Sequence, residues 1–184
     1  MDLGLAGKTA IVTGGGSGIG KAICFALAGE KVQVCVADIY QDRAETVANE
    51  IGKQGGKAIA VAADVSSGTD VDRMVDRVVK EWGRIDVLVN NAGIILQAPV
   101  LNMTEQQWGK ILTNNLKSCF LCSRAVATHM VKQGTGGRIV SRHDLRIGEP
   151  RRVINGHMKI FVAGLAAPPP PIAMDAMANP DDAA

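Results

Sequence analysis

Aromatic side chains are scarce in this sequence. Three Phe, two Trp and one Tyr make up 3% of 184 residues, so a core has to be built from Val, Ile, Leu and Ala. Neither sign of charge dominates: 20 Lys and Arg stand against 18 Asp and Glu, a formal net charge of +2. That balance argues against a nucleic-acid binder or a protein that docks on anionic membranes. No apolar run approaches the ~18 residues of a membrane span. The opening Met1-Asp2-Leu3-Gly4-Leu5 lacks the basic flank of a signal peptide. Cysteines number four, Cys24, Cys35, Cys119 and Cys122, too few to suggest a disulfide scaffold. Together these absences predict a cytoplasmic chain in a reducing compartment. Glycine, by contrast, is abundant: 21 residues, above the roughly 7% expectation, with no three-residue period. Collagen is excluded, and the glycines should mark specific backbone positions. With 47% hydrophobic and 21% charged residues, the chain has a globular balance and the length of one domain or slightly more.

Over residues 1–140 two hydrophobic periods alternate. Thr9–Thr13 is a short apolar run that stops at three glycines and reads as a strand buried on both faces. Residues 18–29 carry Ile19, Ile23, Ala26 and Leu27 at helical spacing. Val32–Ala37 is a second strand, and residues 41–54 place Ala44, Val47, Ala48 and Ile51 on one helical face. Ala58–Ala62 is a third strand; Ser67 to Asp70 resembles a capping box ahead of Val71, Met74, Val75, Val78 and Val79. Ile85–Val89 is a fourth strand, Thr104 to Gln107 opens one long helix to about Lys132, and Arg138–Ser141 starts a fifth strand. Strand and helix in alternation with short loops predict an α/β, Rossmann-like, doubly wound parallel sheet of about five strands in order 3-2-1-4-5.

Past Ser141 the pattern fails. Arg142 to Arg146 and Arg151-Arg152 are charged without a period, and Pro168–Pro171 are incompatible with helix or central strand. Only Ile160-Phe161-Val162 offers a further strand candidate. The sheet therefore reads as C-terminally truncated, with its fifth strand left as an edge. The chain divides into a Rossmann-like domain at 1–140, a degraded segment at 141–167 and a Pro/Ala-rich disordered tail at 168–184.

The first strand runs into Thr13-Gly14-Gly15-Gly16-Ser17-Gly18-Ile19-Gly20, which opens the first helix. Gly14 permits the tight turn, Gly18 lets the backbone approach a pyrophosphate, and Gly20 lets helix and sheet pack closely. The helix N-terminus offers free N–H groups and a positive dipole end to the phosphates. A glycine triplet alone is weak; a strand before it and a helix after it make it specific. The form Thr-Gly-x-x-x-Gly-x-Gly resembles the short-chain dehydrogenase/reductase family. Further matches are Asp64-Val65 after the third strand, Asn90-Asn91-Ala92-Gly93 after the fourth, and Asn115 within Thr-Asn-Asn-Leu-Lys. The resemblance spans residues 6–140. It implies adenine contacts at Asp64 and Val65, cofactor contacts at Gly14, Ser17, Gly18, Ile19, Gly20, Asn91, Ala92 and Gly93, and a catalytic role for Asn115.

Asp38 ends the second strand, 20 residues beyond Gly18. A carboxylate there accepts from both ribose hydroxyls of NAD and repels the 2′-phosphate of NADP, so NAD is the preferred cofactor. The alternative is that Asp38 caps the helix at 41–54. Arg43, one turn into that helix, reads as a solvated surface charge.

The same resemblance implies a Ser, a Tyr and a Lys beside Asn115, the last two spaced Tyr-x-x-x-Lys on one helix. The only tyrosine is Tyr40, at the adenosine end, and Arg142, His143 and Asp144 stand where a Ser-Ser pair would follow the fifth strand. Lys159-Ile-Phe-Val162-Ala-Gly164-Leu165 is similar to the family's Lys-x-x-Val-x-Gly-Leu, which puts Lys159 in the lysine place and Asn155 in the tyrosine place. Counting from the fifth strand puts His157 near the tyrosine place instead. Asn155 cannot exchange a proton; His157 titrates near neutrality, or is simply exposed in a disrupted segment. The resemblance implies NAD-dependent interconversion of a secondary alcohol and a ketone, with Asn115 and Lys159 as catalytic residues. The alternatives are a catalytically dead dinucleotide-binding module and the product of a frame-altered gene.

Cys119-x-x-Cys122 has a redox or metal spacing, but it lies inside the long helix among Leu116, Phe120 and Leu121 and reads as packing thiols; no metal is expected. Lys110, Lys117, Arg124 and Lys132 read as a solvated face. The partners implied are a small alcohol or ketone and a second copy of the chain through helix 104–132, with neither nucleic acid nor membrane.

Overall fold

The computed structural model describes residues 3–96, 98–142 and 160–165. The element order is β1 (Thr9–Thr13), α1 (Gly18–Gly29), β2 (Gln33–Asp38), α2 (Gln41–Lys53), β3 (Lys57–Ala62), α3 (Gly68–Trp82) and β4 (Val87–Asn90). There follow α4 (Glu105–Leu112), a π-turn (Thr113–Lys117), α5 (Ser118–Gln133), β5 (Gly137–Arg142) and β6 (Ile160–Leu165). The sheet order is β3-β2-β1-β4-β5-β6. Strands β1 to β5 are parallel, in the 3-2-1-4-5 order that the alternation implied.

The central strands read as continuous apolar runs because both of their faces are covered. Ala10, Val12, Val34, Val36 and Val89 pack against α1 and α2 through Cys24, Ala44, Val47 and Ile51. Their alternate neighbours Ile11, Cys35, Ala37 and Leu88 pack against α3 and α5 through Met74, Val78, Val126 and Met130. Each fully buried Val, Ile, Leu or Met contributes about 1.5–3 kcal/mol relative to exposure, so the two layers supply most of the driving force. At the N-terminal edge of the sheet, Asp86 is buried and accepts from the Thr9 N–H (2.9 Å) and the Arg84 fork, with the Lys8 ammonium 3.6 Å away.

Two expectations are corrected. The fifth strand is not an edge: β6 pairs antiparallel along it, from Gly137 opposite Leu165 to Arg142 opposite Ile160. The strand candidate Ile160-Phe161-Val162 is part of β6, which extends to Leu165. Its six apolar and small residues have no period that selects helix, and the open ladder of β5 satisfies their backbone groups. The helix 104–132 is likewise interrupted. Its start is as read, since Thr104 and Gln107 exchange both bonds of a capping box. At Thr113–Lys117 the winding loosens, and the Ser118 N–H reaches back five residues to the Thr113 carbonyl. Among the described residues no helix is long and apolar enough to cross a membrane. The positions Asn155, His157 and Lys159 and the tail 168–184 lie outside the described residues.

Candidate dinucleotide site

The glycine-rich turn runs from the C-terminal end of β1 to the N-terminus of α1. Gly14 has φ +63, and a Cβ there would lie 3.0 Å from the Ala92 Cα, so the turn passes hard against the loop after β4. Gly18 has φ +52 and open space where its Cβ would be. Gly20 is the reverse: a Cβ would meet the Gly14 carbonyl oxygen at 2.0 Å. Ser17 starts α1 without a side-chain cap bond, which leaves the first N–H groups of the helix uncapped. An open, positively polarised turn floored by glycine backbone fits a pyrophosphate.

Asp38 lies at the end of β2, only 8% exposed. Its Oδ2 accepts from the Gly16 N–H at 3.0 Å and its Oδ1 from the Tyr40 N–H at 3.1 Å. The residue starting α2 is Tyr40, so Asp38 braces the glycine turn instead of capping that helix. Each carboxylate oxygen keeps lone-pair capacity for a further donor. Asp64 follows β3 in the loop that leads to α3. Its Oδ1 accepts from the Ser66 N–H (2.9 Å) and hydroxyl (2.7 Å), closing a local turn, while its own N–H donates to Asp70. Val65 is partly buried against the α3 side of the core.

The loop after β4 is tied to the glycine turn by contacts that sequence reasoning missed. Thr13 Oγ1 accepts from the N–H groups of Asn91 and Ala92, both at 3.0 Å. The Asn91 amide donates back to the carbonyls of Thr13 (3.0 Å) and Gly14 (3.2 Å). Asn90 donates to Ser123 and Ser141, joining β4 to α5 and β5. The signal available was the Thr before the first glycine, a hydroxyl that follows the apolar Ala10, Ile11 and Val12.

Asn115 occupies the middle of the π-turn and is buried. Its Oδ1 accepts from the Ile94 N–H at 2.8 Å and its Nδ2 donates to the Ile94 carbonyl at 2.9 Å. A Cβ on Gly93 would lie 3.1 Å from the same Oδ1, so Asn91, Ala92, Gly93 and Asn115 form one joined wall. Both functional ends of the amide hold backbone, which makes Asn115 a clamp on this loop. The loosened turn leaves carbonyls to be satisfied by side chains: Ser118 donates to Asn114 at 2.6 Å and Cys119 to Asn115 at 3.1 Å. Cys119 and Cys122 are buried thiols. Burial raises both, Cys122 to about 12, with the neighbouring Cys119 adding to that shift; such thiols pack and do not react. Cys24, beneath the glycine turn, is also pushed up to about 12 by burial.

Tyr40 and Arg43 stand at the Asp38 end. Arg43 is exposed, as its position suggested, and its guanidinium stacks 4.3 Å from the centre of the Tyr40 ring. The structure thus brings together Gly14, Ser17, Gly18, Ile19, Gly20 and Asp38 on one side and Asn91, Ala92, Gly93 and Asn115 on the other. Among the described residues no tyrosine accompanies Asn115.

A family model described as short chain dehydrogenase matches residues 8–142. The chain is 40% identical over 133 residues to the 3-oxoacyl-(acyl-carrier-protein) reductase FabG of Staphylococcus epidermidis, covering 72% of this chain and 54% of that protein. It is 39% identical over 141 residues to the D-threitol dehydrogenase of Mycolicibacterium smegmatis, covering 77% and 54%. Among solved structures, a short-chain type dehydrogenase/reductase from Mycobacterium marinum superposes with a TM-score of 0.73 at 39% identity, over 74% of this chain and 56% of that one. A 7α-hydroxysteroid dehydrogenase in complex with NADH and 7-oxo glycochenodeoxycholic acid gives 0.71 at 38% identity, over 74% and 53%. The chain spans about half the length of the curated relatives it matches. The match runs from the residue before β1 to the last residue of β5, and this chain belongs to the short-chain dehydrogenase family.

Proposed function

We propose that this chain binds NAD across the C-terminal ends of its strands, in preference to NADP, and serves an oxidoreductase that interconverts a secondary alcohol and a ketone. The observation that carries the cofactor reading is Asp38: a nearly buried carboxylate at the end of β2, braced by two backbone N–H groups and retaining acceptor capacity. Ribose hydroxyls match that acceptor, and a 2′-phosphate would set like charges against each other. Gly14, Ser17, Gly18, Ile19 and Gly20 hold the pyrophosphate; Asp64 and Val65 flank the adenine. Asn91, Ala92 and Gly93 line the nicotinamide end, where Asn115 keeps the wall in place. NAD, when bound, supplies the hydride acceptor. Lys159 is carried over by resemblance as the lysine that holds the nicotinamide ribose.

The relatives' names support the reaction class. A 3-oxoacyl reductase, a threitol dehydrogenase and a hydroxysteroid dehydrogenase share a hydroxyl or oxo carbon as the reacting centre and differ in what surrounds it. We assign the chain to the cytoplasm and to a homo-oligomer formed through 104–132. Calorimetric titration of the unmodified chain with NAD and NADP tests the cofactor reading. Tighter NAD binding is expected, and equal affinities or tighter NADP binding would overturn it.

A further inference from the structure

The Asp38 end holds a pair, Tyr40 and Arg43, that the cofactor reading does not use. Arg43 and Asp38 flank Gly16: a Cβ built on that glycine would be 2.7 Å from the Arg43 Cβ and 2.8 Å from Asp38 Oδ2. Two opposite charges so placed would ordinarily pair, yet the Arg43 guanidinium lies on the Tyr40 ring at 4.3 Å and forms no ion pair with Asp38. Tyr40 itself is 53% exposed and is held at its backbone, where its N–H donates to Asp38. The backbone from which the ring projects is therefore held by the same carboxylate that would receive the ribose. A phosphate on that ribose would need a cation to offset Asp38, and Arg43 is the neighbour whose planar fork suits a phosphate.

Resting on the NAD reading, we propose that Tyr40 is a specificity-determining residue. By stacking Arg43 it withholds a cation from the ribose 2′ position, and so keeps the site selective for a dinucleotide without a 2′-phosphate. Asp38 repels the phosphate, and Tyr40 removes the group that would neutralise the repulsion. Both effects act on NADP alone, because the ribose hydroxyls of NAD are bound by Asp38 and not by Arg43.

The test is calorimetric titration of NAD and NADP into the full chain and its Tyr40→Ala, Tyr40→Phe and Tyr40→Ala/Arg43→Gln variants. Leaving an exposed cation–π stack forfeits little, so Tyr40→Ala should tighten NADP binding by about two- to fivefold. NAD affinity should stay within about twofold, a difference near RT. Tyr40→Phe keeps the ring and should keep the parent ratio, and the double variant should lose the gain. An unchanged NAD-to-NADP ratio in Tyr40→Ala, or a gain that persists without Arg43, overturns the proposal. Failure of the unmodified chain to bind either nucleotide overturns the underlying cofactor reading, and the role of Tyr40 falls with it.

Discussion

Gly18 and Gly20 lie two residues apart in one motif, and the structure separates what an added methyl group would do at each. At Gly18 the Cβ would point into open space, with nothing within 4 Å, so the cost to the fold is the strain of a left-handed alanine at φ +52. That strain is about 1 kcal/mol. At Gly20 the Cβ would sit 2.0 Å from the Gly14 carbonyl oxygen and 2.6 Å from the Asn91 amide nitrogen. The first obstacle is backbone and cannot rotate away. Gly14 cannot retreat either, because its other side already abuts Ala92. Relief therefore requires the turn to move by about an ångström, at an overpacking cost near the upper end of the usual range, about 3 kcal/mol. For a chain of this size about 1 kcal/mol corresponds to 2–4 °C in Tm. Gly18→Ala should thus lower Tm by about 2–4 °C and Gly20→Ala by about 6–12 °C. Binding should show the opposite emphasis. On the proposed cofactor reading, a pyrophosphate approaches the backbone in the open space over Gly18, so Gly18→Ala should weaken NAD binding by more than about tenfold, 1.4 kcal/mol, despite its mild effect on the fold. Thermal melts and calorimetry on both variants check this. A Gly18→Ala chain that binds NAD like the parent, or a Gly20→Ala chain that melts with it, would refute the reasoning.

Four further outcomes are expected. Asp38→Ala should weaken NAD binding by about 1–3 kcal/mol, the scale of hydrogen bonds to a charged group, and calorimetry showing no loss would refute it. Burial alone would raise the Asp86 carboxyl, but the Arg84 fork, the Thr9 N–H and the Lys8 ammonium outweigh it and hold the group below the usual carboxylate range. Its stabilisation is therefore present above the unfolded-state value near pH 4 and is lost as pH falls through the lower folded value. Asp86→Asn should reduce stability at neutral pH by about 1–2 kcal/mol and flatten the acid limb of a denaturation series, whereas an unchanged pH profile counts against the assignment. The outer face of the 104–132 helix exposes Leu116 (58%) and Phe120 (59%), so Phe120→Lys should convert an associated chain to monomer in sedimentation velocity, and a parent that is already monomeric removes the premise. Because Tyr40, the only tyrosine, stands at the Asp38 end, NAD-dependent oxidation of secondary alcohols should run about 10²–10⁴-fold slower than in a relative that has a tyrosine in the family's place, and turnover as fast as such a relative's would contradict this.

The sequence by itself determined the parallel sheet, because strands buried on two faces leave an uninterrupted record of Val, Ile and Ala, as in Thr9–Thr13 and Gln33–Asp38. It also determined the glycine turn, where glycines between strand and helix answer to backbone geometry alone, and the start of α4, whose capping box closes within four residues. What it left open is decided by contacts between residues far apart in the chain. Residues 160–165 have no period that separates helix from strand, and the ladder along β5, 18 to 28 residues earlier, makes them β6. The π-turn has no periodic signature; it stands because Asn115 clamps Ile94, 21 residues away. Asp38 could be read from its position either as a helix cap or as a cofactor ligand, and the Gly16 N–H, 22 residues away, turned it toward the glycine turn. Local patterns record which backbone conformation a segment prefers. Which groups come to share a site depends on the sheet register that brings the ends of β1, β2 and β4 together.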